Sequence, residues 1–268
     1  MGGNPNIRFT LVLNLTAGKS NISLNSKTMP NYVRNRVTVF GKRSVVLEIM
    51  KNIGNEGEVI DFEKIIPMPR VLYDVTCPHK IVTEDELKKE LAEIAERRKK
   101  NPNDYMGFTH NLTQKMYDSY MKKYGAVDWY EWSIQNWGTK WNCSESSLSD
   151  DLPDEKGNPD DDVECSFEFD TAWSTPFGVI AKLSQKYPTV EITVRFADED
   201  AGFNCGIYTL LNEKIIGQLE PEPGSTQAMK LYLELHEYAE EYYNLVDGEY
   251  IYKEEGEDDE DEEEDKEE

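Results

Sequence analysis

Apolar and polar residues alternate in three stretches of the chain, and this two-residue period predicts three β-strands. Residues 190–196 show it most clearly, and residues 34–40 repeat it before stopping at Gly41. In the third stretch, Glu168 and Asp170 fall on one predicted face. The opposite face of that strand carries Cys165, Phe167, Phe169, Thr171 and Trp173. The pattern therefore predicts a sheet that buries one face.

Apolar residues at helical spacing follow two of these strands. Residues 44–53 place their apolar side chains on one stripe and end at Gly54. Residues 175–187 form a second such stripe, with Pro176 near the first helical position. The same spacing over residues 226–245 predicts a closing helix.

A group of helices is predicted between the two strand–helix units. Thr83–Glu86 is a capping-box sequence, in which the threonine accepts from the first turn and the glutamate reaches back. More helix is expected over residues 112–124 and 128–136. We interpret residues from about 80 to 135 as a helical insertion into a smaller core.

The order of these elements predicts an α+β fold. Two strand–helix units that share one antiparallel sheet form the ferredoxin-like split βαβ arrangement, with both helices on one face. Strands around residues 205–211 and 214–219 add a hairpin. The predicted core spans residues 29–250, and residues 1–28 form an N-terminal extension with a possible added edge strand.

The net charge of −24 is concentrated in two segments. Residues 254–268 contain thirteen acids and one lysine, and no apolar side chain to bury, so a disordered acidic tail is predicted over residues 251–268. Residues 145–164 contain nine acids and one lysine, which predicts a solvated acidic loop over residues 144–163. Binding of nucleic acid through these segments is disfavoured, because it depends on neutralising phosphates with Lys and Arg.

Three motifs make the chain similar to a known family. Trp129–Asn142 and Phe167–Pro176 together hold all five tryptophans, and Met29–Val39 is the third motif. They resemble the YubB-type ferredoxin-like domain family of phage and plasmid proteins, over residues 29–219 with gaps. The resemblance implies a ferredoxin-like fold and a mobile-element origin, and it implies no particular chemistry.

The motif Trp129–Asn142 supplies the first candidate binding residues, which are Trp137, Lys140, Trp141 and Asn142. Tryptophan offers a large rigid contact with a polar tip and is frequent at binding hot spots. The alternative is that Trp137 and Trp141 pack the second strand onto the sheet, with Gly138 making a close turn. Lys140 and Asn142 are the stronger candidates for binding, because they are polar residues inside a rigid motif.

Asp170, Thr171 and Trp173 form a second candidate site, since Asp170 lies near a strand end like a placed carboxylate. The alternative is that Ser174 or Thr175 caps the next helix while Asp170 hydrogen-bonds nearby backbone. The acidic loop supplies a third set of candidate contacts: Asp150, Asp151, Asp160, Asp161 and Asp162.

No metal and no cofactor is expected. Cys77 and His79 lack the spacing of zinc ligands, and no second pair completes such a site. The sequence also contains no phosphate-binding glycine loop and no serine nucleophile elbow. The four cysteines are expected to be free thiols in a reducing cytoplasm, since neither a secretion signal nor a membrane span is evident.

The leading hypothesis is a non-enzymatic accessory protein that binds a host protein with a basic nucleic-acid-binding surface. Its most concrete form is an anti-defence inhibitor, either anti-CRISPR or anti-restriction, that uses its acidic surfaces. The alternatives are a nucleic-acid-associated accessory protein that uses the open sheet face, and an enzyme whose site the sequence does not reveal.

Overall fold

The computed structural model describes residues 30–101 and 108–253. Within them, one antiparallel sheet is built from β1 (Tyr32–Lys42), β2 (Ser144–Leu148), β3 (Asp162–Ala172), β4 (Glu191–Asp198), β5 (Cys205–Leu211) and β6 (Lys214–Leu219). The strands lie in the order β2-β3-β1-β4-β5-β6. The N-terminal extension and the acidic tail from residue 254 lie outside the described residues, so the edge strand and the disordered tail stay predictions.

The helices are α1 (Arg43–Ile53), α2 (Phe62–Ile65), α3 (Arg70–Tyr73), α4 (Glu84–Lys100), α5 (Gln114–Tyr124), α6 (Trp129–Asn136), α7 (Phe177–Lys186) and α8 (Thr226–Leu235). After α8 come a 3-10 helix, Glu237–Tyr242, and a small hairpin of β7 (Tyr243–Val246) and β8 (Glu249–Tyr252).

The elements β1, α1, β2, β3, α7 and β4 form the ferredoxin-like split βαβ unit. The first strand, β1, is central and pairs antiparallel with β3 on one side and β4 on the other. On the far side of β3 lies β2, and β5 and β6 extend the sheet beyond β4. The predicted fold class is confirmed.

The main core lies between one face of this sheet and the helices α1 and α7. Alternate residues of β1 are buried because the strand turns every second side chain toward this face. Both helices contribute to the same cluster, as predicted. Its members include Val37, Val39, Ile49, Phe167, Phe169, Ile180, Leu183, Ile192 and Val194.

The second face of the sheet is covered in part by α8. Ala197 of β4 and Cys205 of β5 point away from the main core and pack against this helix. Their partners on α8 include Ala228, Leu231, Tyr232 and Leu235. The split βαβ arrangement predicted from the sequence has helices on one face only. The helix α8 on the second face is therefore an addition to it.

The closing helix is shorter than predicted. It ends at Leu235, where the predicted helix ran to Leu245. Apolar residues continue at helical spacing beyond this point, but Asp247 and Gly248 both adopt positive φ and form the two-residue turn of a hairpin. That hairpin reaches Tyr252, beyond the predicted boundary of the core.

The predicted acidic loop also contains more regular structure than expected. Its first five residues form β2, the edge strand that completes the split βαβ unit, and β3 begins at Asp162. Serine-rich polar strands are hard to recognise from periodicity, because an edge strand has little to bury. The irregular part is limited to residues 149–161.

The helical insertion has the predicted capping box at Thr83 and Glu86. Oε2 of Glu86 accepts from the Thr83 amide at 2.8 Å, and the Thr83 hydroxyl accepts from the Glu86 amide at 3.3 Å. Thr113 and Asp128 cap the next two helices, α5 and α6, at their N-termini. The two helices predicted at residues 112–124 and 128–136 are therefore confirmed.

Candidate functional site

Trp137 is part of the core. Its side chain is only 2% exposed, and its ring packs edge-on against Phe62 and Trp132. The indole Nε1 donates to the carbonyl of Ile66 at 2.9 Å, so the polar tip of the ring is satisfied inside the protein. The alternative that Trp137 packs in the core is correct for this residue, which joins α6 to Phe62 and Ile66.

Asn142 is an internal connector. Its Oδ1 accepts from the amides of Phe62 and Cys143, each at 3.0 Å, and its Nδ2 donates to Asp61 Oδ1 at 2.7 Å. Burial opposes ionisation of Asp61, yet hydrogen bonds from Asn142, Asn55 and the Glu63 amide lower its pKa. The Asn142 side chain therefore uses its hydrogen-bonding groups to join α2 to the start of β2.

Lys140 lies between two indole rings at the surface. Its Nζ is 4.2 Å from the centre of the Trp141 ring and 4.5 Å from that of Trp173. Tyr130 meets Trp173 edge-on at 6.3 Å. Trp173 is 41% exposed, and the other three residues are half-buried. We call these four residues the aromatic platform, in which cation–π attraction holds the lysine and the rings together.

The alternation predicted that Trp173 continues the buried face of β3, and this prediction is wrong. The strand ends at Ala172, and Trp173 adopts a φ of +72°, which is uncommon for a residue with a side chain. Its amide donates to the Asn31 carbonyl at 2.9 Å, and its carbonyl accepts from Asn204 Nδ2 at 3.0 Å. Asp198, which is buried, accepts from both asparagines. An exposed tryptophan is thus held rigidly in a strained conformation.

Thr171 is fully buried and ties the end of β3 to neighbouring backbone. Its hydroxyl donates to the Ser174 carbonyl at 2.8 Å and lies 2.8 Å from Asn35 Nδ2, which donates to it. Ser174 in turn donates to the Gly138 carbonyl. The predicted cap of α7 by Ser174 or Thr175 is wrong, because the cap residue is Pro176 and no side chain caps the helix.

Asp170 is half of an ion pair across the sheet. It faces Arg34 in the register of β1 and β3, and the guanidinium donates to both carboxylate oxygens, at 2.6 and 3.1 Å. The next pair along the strands is Arg36 with Glu168. Burial raises the pKa of Asp170, although Arg34 opposes this effect. The predicted hydrogen bond from Asp170 to nearby backbone is replaced by this pair.

A cleft of about 350 Å³ opens beside this ion pair. His236, which follows α8, forms part of its wall; the side chain is 7% exposed and its Nε2 is 3.3 Å from the Ala197 carbonyl. Burial lowers the pKa of His236. We call this space the sheet-end cleft, and its lining is Tyr32, Arg34, Ser144, Glu145, Asp170, Glu199, His236 and Tyr238.

The acidic loop, residues 149–161, lies at the opposite end of β1 and is fastened by Arg43. The Arg43 amide donates to the Asp161 carbonyl at 2.8 Å. Its guanidinium donates to the carbonyls of Asp154 and Asn158, each at 3.1 Å. All five predicted contact residues are exposed: Asp150, Asp151, Asp160, Asp161 and Asp162. Of these, Asp162 pairs with Lys42 at 2.8 Å.

Metal ligands and reactive thiols were the remaining chemical candidates among the described residues. Among them, no group of three or more His, Cys, Asp or Glu side chains is placed to hold a metal ion. All four cysteines are free, and burial raises the pKa of the Cys77 thiol to about 11, away from the range of reactive thiolates. No helix in the described ranges has the length and apolar character of a membrane span.

Of the comparisons with known proteins, the match to a family model agrees with the fold. The search of curated proteins gives no match. Among solved structures, the chain is similar to the protein Api92 from Yersinia pseudotuberculosis, with 10% identity and a TM-score of 0.38, over 73% of this chain and 99% of that one. Residues 154–235, from the acidic loop to the end of α8, match the family model described as the ferredoxin-like domain in Api92-like protein.

Proposed function

We propose that this chain is a non-enzymatic accessory protein of a phage or plasmid that binds a host protein in the bacterial cytoplasm. The specific form of the proposal is an inhibitor of a defence system, of the anti-CRISPR or anti-restriction kind. The partner would carry a basic surface that normally holds nucleic acid. The YubB-type resemblance supports the mobile-element origin, and the acidic loop supports the choice of partner.

The observation that carries the proposal is the acidic loop, whose backbone is held by hydrogen bonds from Arg43. Six exposed acids stand in residues 149–161 with one lysine, while Arg43 holds the backbone beneath them. A loop that is already ordered loses less conformational entropy when it binds, so more of its electrostatic attraction remains as affinity. Complementary charge also steers the encounter and raises the association rate.

The aromatic platform is the competing contact surface for the same function. Its exposed tryptophan is rigid and offers the large amphipathic contact that is frequent at hot spots. The platform acts only at contact distance, whereas the field of the acidic loop reaches about 8 Å at physiological ionic strength. Variants of the two surfaces therefore differ in how their effects depend on salt.

Binding of nucleic acid on the open sheet face receives less support. The second face of the sheet is partly occupied by α8, and its arginines are already paired with carboxylates: Arg34 with Asp170, Arg36 with Glu168, and Arg195 with Glu234. Neutralised arginines add little to phosphate binding, because that binding depends on free positive charge.

The experiment begins with the full chain carrying an affinity tag in a bacterium with a nuclease-based defence. We expect a host protein to co-purify after nuclease treatment, and plating of a targeted phage to recover when the chain is expressed. Loss of all co-purifying protein after nuclease treatment, together with binding of nucleic acid by the purified chain, would contradict the proposal.

Two matched variants then locate the contact. In the first, which we call the loop variant, four aspartates of the acidic loop and the adjoining first residue of β3 are changed to Asn: Asp150, Asp151, Asp160, Asp161 and Asp162. In the second, five exposed acids of α1 and α4 are neutralised: Glu48, Glu84, Asp85, Glu93 and Glu96. We expect the loop variant to associate roughly tenfold more slowly at low salt and to lose most of its salt dependence. If Lys140→Ala abolishes binding while the loop variant binds normally, the aromatic platform is the contact.

A further inference from the structure

The sheet-end cleft is assembled from parts of the chain that are distant in sequence. Tyr32 and Arg34 come from β1, Glu145 from β2, Asp170 from β3, and Tyr238 from the 3-10 helix. Its volume of about 350 Å³ lies within the range of small-ligand sites. The cleft is distinct from the acidic loop, which lies at the other end of β1.

The positive charge of Arg34 inside the cleft is already paired with carboxylates. Arg34 gives Nε and Nη2 to Asp170, and its Nη1 is 3.5 Å from Glu168. The ion pairs on this face of the sheet use Glu168, Asp170, Glu234 and Glu237 as their acids. Glu145 and Glu199 also line the cleft and are exposed, but they stand outside these pairs. Two carboxylates in the cleft are therefore not neutralised by these arginines.

Glu145 is aimed at the cleft by an irregularity in β2. The pairing of β2 with β3 shifts register between Ser144 and Ser147, and Glu145 adopts a φ of +51° within this bulge. Bulges redirect side chains and are frequent beside functional sites. The left-handed conformation is unfavourable for a residue with a side chain, and glycine would avoid that strain. Glu145 and Asp170 both line the cleft, and the charge of Glu145 adds to the burial that raises the pKa of Asp170.

Two tyrosines, Tyr32 and Tyr238, also line the cleft, together with Ser144 and His236. The face of a tyrosine ring attracts cations. Carboxylates combined with aromatic faces suit a planar cation that forms several hydrogen bonds. We infer that the sheet-end cleft binds a guanidinium group, through Glu145 and Glu199 and against the tyrosine rings. Either a free guanidino compound or the side chain of an arginine in another protein has this chemistry.

The test is a titration of the full-length protein, labelled with nitrogen-15, with N-acetyl-arginine amide and with methylguanidinium. We expect saturable shifts of the backbone amides around residues 145, 199 and 238. N-acetyl-citrulline amide has nearly the same shape without the charge and should bind at least tenfold more weakly. Comparable affinity for the two cationic probes points to a free guanidino compound, and tighter binding of the arginine amide points to a protein side chain.

Variants separate binding from folding. Glu145→Gln and Glu199→Gln should each weaken the arginine amide about three- to fivefold, as expected for partly exposed ion pairs. Glu48→Gln, on the exposed face of α1, is the matched control and should have no effect. Glu145→Gly should lose affinity to a similar extent while the protein becomes as stable as the wild type or more stable, because the backbone strain is relieved.

Two outcomes would overturn the inference. One is equal binding of the arginine and citrulline amides, and the other is the absence of saturable binding in the wild type. The loop variant should bind both cationic probes normally. A failure of the cleft is thus distinguishable from a failure of the proposed partner binding.

Discussion

The two ends of the central sheet offer different kinds of surface. At one end, the acidic loop presents exposed carboxylates above a single arginine, Arg43. At the other end, the aromatic platform and the sheet-end cleft combine rings with an ion pair between Arg34 and Asp170. The eleven residues of β1 separate them by roughly 35 Å. The surface that can attract a partner at long range and the surfaces that can bind at contact distance thus lie at opposite ends of β1. Each can be changed by mutation without changing the other.

The largest expected effect separates the core beneath the aromatic end from its surface. Trp137→Ala should lower the free energy of unfolding by about 3–5 kcal/mol, because it opens a cavity between Phe62 and Trp132. Trp173→Ala should cost less, roughly 1 kcal/mol, because Trp173 is 41% exposed and its removal opens no enclosed cavity. Urea unfolding followed by circular dichroism measures both. Equal losses for the two variants would mean that the platform is part of the core.

At the acidic end, Arg43→Ala should cost about 1–3 kcal/mol. The change removes charge-assisted hydrogen bonds to the carbonyls of Asp154 and Asn158 from a side chain that is only 15% exposed. Hydrogen exchange should become faster in residues 149–161 and stay unchanged at the other end. Lys42→Ala is the control, because its pair with Asp162 is exposed and contributes little. Unchanged exchange in the loop would show that Arg43 does not hold it.

Acidification should lower the stability of the protein through His236, which lines the sheet-end cleft. Burial lowers the pKa of His236, so the unfolded chain takes up a proton more readily than the folded protein does. The stability that the buried, neutral His236 contributes is complete above the ordinary histidine pKa of about 6.5. It decreases as the pH falls below that value. Asp170, whose pKa is raised, acts in the opposite direction. Between pH 7.5 and 5.5, His236→Gln should therefore lose less thermal stability than the wild type, and an identical pH dependence would contradict this account.

The smallest effect on stability is expected for the loop aspartates. Neutralising Asp150, Asp151 and Asp160 should change the free energy of unfolding by less than about 0.5 kcal/mol, because exposed charges contribute little. A change of several kcal/mol in thermal or urea unfolding would show that these residues stabilise the fold. In that case, lost partner binding by the loop variant could result either from the removed charge or from a disturbed fold.

Much of the fold could be predicted because periodic burial determines it. The alternation in residues 34–40 and 190–196 gave two strands directly, and the capping box at Thr83 gave the start of α4. The polar edge strand β2 could not be found in this way, since it buries little. The hairpin after residue 242 was missed because apolar residues happen to continue at helical spacing.

The candidate sites were less visible in the sequence. Trp137, Lys140 and Trp173 were all recognised as unusual, but only the three-dimensional packing separates the buried ring from the exposed one. Glu145 and His236 gave no signal, because their roles depend on a bulge and on a segment ninety residues further along the chain. The dipeptide Asp247-Gly248 is a local sequence signal for the turn between β7 and β8.

The central position of β1 has a consequence for how the protein is made. This strand is synthesised before both of its neighbours, and Arg36 is 132 residues from its partner Glu168 on β3. The apolar face of β1 therefore stays without strand partners while the whole helical insertion is translated. Such late, long-range pairing slows folding and leaves an exposed strand available for aggregation. Successful folding of this chain should accordingly depend on chaperones that bind nascent chains during translation.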